Sequence, residues 1–240
     1  MVEENLSFRN GNPGAVQFGN FINYYQFNSP EKRISLLPKD IWSESIEENR
    51  KWEILDIGCN TGDLTVALYD FFTNILGITD CKVIGIDIDP QLIQRAIEKN
   101  KSNNISFNCV DIMDSMNYQT IIKYLKDNDL ERFDLVTCFS ITMWIHLNHG
   151  DLGLKSFLNN VSKISNFLII EPQPWKCYKA AVKRMKLSDY IFPEFKKLAI
   201  QQNVEDEIEK IILDECNLVK LKESQKTDWG RKILFFKRKN

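Results

Sequence analysis

From residue 52 onward, apolar runs of strand length alternate with segments whose apolar residues recur every three or four positions. "WEILDIG" is an apolar run ending in Gly58. "GDLTVALYDFFTNIL" follows, with Leu64, Ala67, Leu68, Phe71, Phe72 and Ile75 at helical spacing. The unit then repeats. "KVIGIDID" passes through Asp89 into "PQLIQRAIEKN", a helix with proline at its first position. "ISFNCVDI" precedes the helix "YQTIIKYLKDN", "FDLVTCFS" precedes the helix "GLKSFLNNVSKI", and "NFLIIEP" reads as a fifth strand. Such alternation predicts a mostly parallel sheet with helices on both faces. The tail differs: two helical segments, about 175–187 and 203–215, come first. "NLVKLKES" and "KILFFKRK", joined by the turn-rich "QKTDWGR", then predict an antiparallel hairpin that closes one edge. The expected fold class is α/β, one doubly wound Rossmann-like sheet of seven strands. Residues 1–16 read as a flexible leader and 17–240 as a single domain. Within it, 17–50 forms an N-terminal lid segment, 51–174 the ligand-binding core, and 175–240 the helices and closing hairpin.

Composition changes this picture little. A chain of 240 residues, 43% hydrophobic and 27% charged, can bury one sizeable core. No run of about eighteen uncharged apolar residues is present, so no membrane span is expected. "MVEENLSFRNGNPG" lacks the basic-then-apolar order of a secretory signal. Six cysteines stand singly, without a C-x-x-C pair. That usage suits buried thiols in a reducing compartment, the cytoplasm or also the nucleus, without disulfides or structural zinc. Net charge is −2, which gives no global attraction for nucleic acid. Locally, "KCYKAAVKRMK" (176–186) holds five basic residues and no acidic one, whereas "EDEIEKIILDE" (205–215) is strongly acidic. A basic patch of that size can hold a short phosphate-bearing end, or be a solvated helix face.

Ligands of open α/β sheets bind at the carboxyl ends of the strands, where the winding reverses. Gly58 and Gly62 fall in the first strand-to-helix turn, where the backbone can approach a ligand without a Cβ clash. Their spacing is G-x-x-x-G, neither the pyrophosphate fingerprint nor a Walker lysine loop. Asp56, Asp87 and Asp111 each close a strand. Asp87 suits two ribose hydroxyls and Asp111 an adenine amino group. Alone, such aspartates are often helix caps; in this order they point to an adenosine ligand without a pyrophosphate. S-adenosyl-L-methionine fits, with S-adenosyl-L-homocysteine as product, and implies a class I methyltransferase.

"FGNFINYY" (18–25), "DIGCNTGDL" (56–64), "TMWIHLNHGD" (142–151) and "EPQPWKCY" (171–178) resemble the bicoid-interacting family of RNA 5′-phosphate methyltransferases. The likeness covers about residues 17–180 and continues more weakly through the hairpin. One branch of that family caps an RNA γ-phosphate and carries a long insertion where this chain has only a helix and "KSNN". That branch also tends to place lysine where Met143 stands. The chain is more similar to the branch that methylates RNA 5′-monophosphates and is linked to a histidine tRNA and precursor microRNAs. The resemblance implies that Tyr25 and Arg33 hold the amino-acid end of the cofactor; an arginine fork matches a carboxylate bidentately. It implies Gly58, Cys59 and Asn60 in the first turn, and Asp87 with Ile88 at the ribose and adenine. Asp111 with Ile112 would meet the adenine, and Phe139 would line the sulfonium side. The family's arginine between "YY" and the next proline is Asn28 here.

A 5′-monophosphate has its second pKa near ~6, so near pH 7 its oxygen is already nucleophilic and needs no general base. Positioning is then the task. Tyr24, His146, His149 and Lys176 are the candidates to orient the phosphate. Trp144 would pack the pocket wall, and Phe21 or Tyr24 could stack on the terminal base. His146 and His149 are the chain's two histidines, too few for a metal site without added carboxylates, so no metal is expected. A monomer is expected. Other readings stay open: capping of a 5′-triphosphate, a small-molecule or protein O-methyltransferase, or a cofactor-binding regulator without turnover.

Overall fold

A computed structural model describes residues 16–42 and 50–239. Apart from Val16, which is buried, the expected leader lies outside the described residues. The sheet has seven strands: β1 (Trp52–Ile57), β2 (Cys81–Asp87), β3 (Ile105–Cys109), β4 (Phe133–Phe139), β5 (Ser165–Glu171), β6 (Leu218–Glu223) and β7 (Leu234–Arg238). Their spatial order is β3-β2-β1-β4-β5-β7-β6. The first five pair in parallel, while β7 runs antiparallel to both β5 and β6. The hairpin therefore closes the β5 edge through its second strand, with a bulge between Lys220 and Lys222.

Two short helices, α1 (Tyr24–Phe27) and α2 (Pro30–Ile34), lie in the N-terminal segment. After β1 comes α3 (Asp63–Asp70), prolonged by a π turn through Ile75; after β2 comes α4 (Pro90–Lys99). Next are α5 (Ser115–Asp127), α6 (Thr142–Lys163), α7 (Trp175–Lys186) and α8 (Val204–Glu215). Asp89 and Asp114 cap α4 and α5 through their side chains. None of the helices among the described residues is long and apolar enough to cross a membrane.

Successive strand residues feed opposite faces, as a pleated sheet requires. Phe167, Ile169 and Phe235 pack with α3, α4 and the buried Trp42, whereas Leu168, Ile170 and Phe236 pack under α5 to α8. Because α3 and α4 cover one face and α5 and α6 the other, the winding reverses between β1 and β4. The carboxyl ends of β1, β2, β3 and β4 thus open at one edge, the position where such folds take ligands.

Candidate active site

The first turn is fixed to its neighbour strand before any ligand is considered. The backbone N–H groups of Gly58 and Cys59 both donate to the Ile86 carbonyl, at 2.8 and 3.0 Å. Asn60, in a left-handed conformation (φ 52°), donates its N–H to Asp87 Oδ2 at 2.9 Å. Gly58 has φ 78°, and a Cβ there would lie 2.3 Å from Ile141 Cγ2, so a side chain is excluded twice over. Asp87 Oδ1 accepts the Asp89 N–H at 3.0 Å. Burial pushes the Asp87 carboxyl up to about 6, against those two bonds, which pull it down.

Around this turn lies a cleft of about 770 Å³. Gly58, Asp87, Ile88, Asp111, Ile112 and Phe139 line it, with Asn60 beside them, so seven of the residues named from the sequence meet in one place. Asp111 Oδ1 accepts the Met113 N–H at 2.9 Å, which leaves Oδ2 to a ligand. Among the described residues no lysine or arginine lines the cleft. A dinucleotide's pyrophosphate would find no countercharge there. An adenosine carrying a positive sulfonium finds two carboxylates, apolar side chains beside each, and aromatic walls. The residues present fit S-adenosylmethionine.

Four other predicted cofactor residues stand behind this surface and do not line it. Asp56 is buried and accepts the hydroxyls of Thr65 and Thr137, each at 2.6 Å, with burial raising its pKa. It braces β1 against α3 and β4. The Cys59 side chain is fully buried, and its carbonyl accepts the Tyr25 hydroxyl at 3.0 Å. Tyr25 thereby clamps the turn from outside the cleft. Arg33 does not reach the cleft to grip the cofactor's carboxylate. Its partner is a carboxylate, but the chain's own: Nε and one terminal nitrogen both donate to the single oxygen Glu171 Oε2, at 3.0 and 2.7 Å. The pair is fully buried, and the guanidinium also lies 5.0 Å from the Trp229 ring centroid and donates to Tyr24 Oη at 2.7 Å.

"TMWIHLNHGD" proves to be helix, the first half of α6, which breaks at Gly150 (φ 68°, ψ −174°). Trp144 faces the N-terminal segment, in edge contact with Phe21 at 5.8 Å between ring centroids. It lies so close to Gly19 that a Cβ there would be 2.1 Å from its indole nitrogen. Asn148 donates to the Gln17 carbonyl and accepts from its amide, both at 3.0 Å. Asn60 donates to the Phe21 carbonyl at 2.9 Å, and Asn20 to Asp89 Oδ2 at 2.7 Å. Residues 17–25 are thus strapped across the cleft as a roof.

His146 does not face any cleft, which corrects the expectation that it orients phosphate. It is fully buried, with Nε2 2.7 Å from Asp151 Oδ1 and Nδ1 3.1 Å from the Tyr178 hydroxyl. Burial lowers its pKa, against the pull of the Asp151 carboxylate. His146 points at Tyr178 of α7, while His149, the last residue before the break at Gly150, lines the cofactor cleft. Lys176 is exposed and lies on neither cleft; its Nζ is 3.5 Å from where a Cβ on Gly230 would stand. Among the described residues, His, Cys, Asp and Glu form no group of three suited to a metal.

A second cleft of about 1640 Å³ adjoins the first, sharing Tyr24, Ser140 and Trp144 with it. Phe21, Phe27 and Met143 give it apolar walls, and Arg184 from α7 and Arg231 from the β6–β7 connection give it cations. Sequence reasoning missed Arg231 and its surroundings. Ser140 Oγ, held at a positive φ of 59°, donates to Glu171 Oε2 at 2.5 Å and accepts from Arg33 at 3.1 Å and Arg231 at 2.5 Å. Trp229 Nε1 donates to the other Glu171 oxygen at 2.7 Å. Gln173 joins the same junction, accepting from Thr142 Oγ1 and the Met143 N–H and donating to the Ser140 carbonyl.

Comparison with known proteins agrees with this geometry. Residues 133–238 match the family model for Bicoid-interacting protein 3, and residues 54–163 match a methyltransferase domain model. The chain is 41% identical over 238 residues to the Xenopus laevis protein named pre-miRNA 5′-monophosphate methyltransferase, covering 94% of this chain and 93% of that one. Its identity to the Danio rerio protein of the same name is 38% over 239 residues, covering 95% and 94%. In fold it is similar to the N-methyltransferase NodS from Bradyrhizobium japonicum WM9, solved with S-adenosyl-L-homocysteine. That match has a TM-score of 0.54 at 15% identity and covers 100% of this chain and 97% of that one. Sheet order, cleft and near full-length identity agree: the chain belongs to the Bicoid-interacting protein 3 family of methyltransferases.

Proposed function

We propose that this protein methylates the 5′-monophosphate of a small RNA, using S-adenosylmethionine as donor. The observation that carries the reading is the junction of the two clefts. Among the described residues one is lined by carboxylates and no cation, the other by arginines and the exposed Phe27, and they meet at Tyr24, Ser140 and Trp144. The names of the full-length relatives support the same substrate. When bound, S-adenosylmethionine supplies an electrophilic methyl group, whose S–C bond breaks with its electron pair staying on sulfur as a phosphate oxygen forms the new O–C bond.

Asp87 and Asp111 would hold the ribose and adenine ends, with Ile88 and Ile112 against the base. The roof formed by residues 17–25 excludes water from the junction, and Trp144 fixes its height. Tyr24 Oη already accepts from Arg33, so its own hydrogen is left to donate to an anion in the clefts it lines. Phe27, 78% exposed at the mouth of the second cleft, offers a face on which an unpaired terminal base can stack. No proton has to be removed, because a phosphate monoester is mostly a dianion near pH 7. The chain's work is positioning and exclusion of water. The test is incubation with methyl-labelled S-adenosylmethionine and one short RNA made with a 5′-hydroxyl, monophosphate or triphosphate end. Label confined to the monophosphate is expected. Label on the triphosphate would reassign the protein to capping, and label on none of the three would remove the reading.

A further inference from the structure

The β6–β7 connection carries a cation whose environment is incomplete without an anion. Arg231 donates one terminal nitrogen to Ser140 Oγ, yet its Nε is buried and has no hydrogen-bond partner. Among the described residues no carboxylate lies within ion-pair distance of it. The nearby candidate, Glu171, has one oxygen filled by Arg33 and Ser140 and the other by Trp229. Two formal positive charges thus share one negative charge around Ser140, and Arg231 is the one that lines the second cleft. A half-buried guanidinium with an unsatisfied N–H is costly unless a ligand supplies the acceptor.

Its position is also fixed in advance. The Arg231 N–H donates to Thr227 Oγ1 at 3.0 Å, and its carbonyl accepts the Thr227 N–H at 2.7 Å. Gly230 closes the same turn on the Thr227 carbonyl at 2.7 Å, and Trp229 anchors the loop to Glu171. Such pinning holds a fork in place before its partner arrives, the condition under which an arginine recognises a tetrahedral oxyanion bidentately.

Resting on the function proposed above, we infer that Arg231 is the phosphate anchor. Its guanidinium edge grips non-reacting oxygens of the RNA 5′-phosphate, opposite the Tyr24 hydroxyl, the buried Nε–H gaining its acceptor as the side chain turns onto the ligand, while Lys176, outside both clefts, does not touch that phosphate. The role is one of positioning and of selection for a phosphorylated end.

Binding tests it independently of turnover. With S-adenosyl-L-homocysteine present, affinities are measured for one short RNA carrying either a 5′-monophosphate or a 5′-hydroxyl. The unsubstituted protein is expected to prefer the phosphorylated form at least ~10-fold, the scale of one charge-assisted bond. Arg231→Gln should bring the ratio close to one and leave the affinities for the 5′-hydroxyl RNA and for the cofactor product unchanged. Arg231→Lys, which keeps a charge without the fork, should retain part of the ratio, and Lys176→Ala all of it. An Arg231→Gln protein that keeps the full preference would overturn the assignment, and so would an unsubstituted protein with no preference. The methyl-transfer assay on the three RNA ends reads out separately, so failure of the anchor and failure of the reaction are distinguishable.

Discussion

Asp87 is where sequence position and local physics agree most closely. It ends an apolar strand, its two oxygens are oriented by the Asn60 and Asp89 amides, and burial raises its pKa to about 6. In the free protein this group favours the protonated fold, so its contribution to stability is largest below pH 4 and is lost as pH rises through 6. A ribose that donates two hydroxyls reverses the preference, because it needs the ionised carboxylate. Cofactor affinity should therefore fall as pH drops below about 6, approaching a tenfold loss per unit in calorimetric titrations with S-adenosyl-L-homocysteine. Asp87→Ala should bind weakly and without that pH dependence. A flat profile from pH 5 to 8 in the unsubstituted protein would remove Asp87 from the ribose. Side-chain direction was less legible than position. Asp56 sits at a strand end like Asp87 but turns to Thr65 and Thr137, and His146 turns to Asp151 and Tyr178. Of those partners, Thr137 and Tyr178 lie 81 and 32 residues away, outside any local pattern.

At the scale of elements, six of the seven strands follow the apolar runs to within about two residues at their ends, and β3 stops three residues short of its run; buried parallel strands leave an unbroken signal. A covering segment was expected over 17–50, but its two helices were not legible. α1 and α2 have four and five residues, too few for a helical period to register. "TMWIHLNHGD" hid its helix because Gly150 and polar side chains imitate a loop, although Trp144, Asn148 and Asn60 use this geometry to hold residues 17–25 down. Gly19 is the tightest point of that contact. Its φ is 78°, and a Cβ would overlap the Trp144 indole. Gly19→Ala should lift the roof at a local cost of roughly 1–3 kcal/mol from backbone strain, with added displacement from the clash. Cofactor affinity should drop ~5- to 100-fold, and amide exchange should quicken in residues 17–25, while the melting temperature moves little. Normal affinity and unchanged exchange in this variant would show that the roof is not what closes the cleft.

Across the whole molecule, the buried centre around Glu171 joins parts of the chain that no sequence window could link. It takes Arg33 from the N-terminal segment, Ser140 from the end of β4 and Trp229 from the β6–β7 connection. The roof, the sheet edge and the hairpin are thereby tied at one carboxylate, which is 0% exposed, as is Arg33. Opposite charges this deep contribute little net stability as a pair, but either one alone is an uncompensated buried charge. Glu171→Gln keeps the shape and leaves Arg33 without a countercharge, for a loss of about 3–5 kcal/mol. In a chain of this length that corresponds to a melting point lowered by roughly 6–20 °C. Adding Arg33→Met removes the stranded charge while the substituted amide still accepts from Trp229, so the double variant should melt above the single one. Thermal unfolding of the three proteins by circular dichroism separates the cases. If Glu171→Gln melts with the unsubstituted protein, or the double variant melts below the single one, the tie is not electrostatic. The centre would then hold the three segments together by packing of Tyr24, Phe139 and Trp229 around the Arg33 side chain.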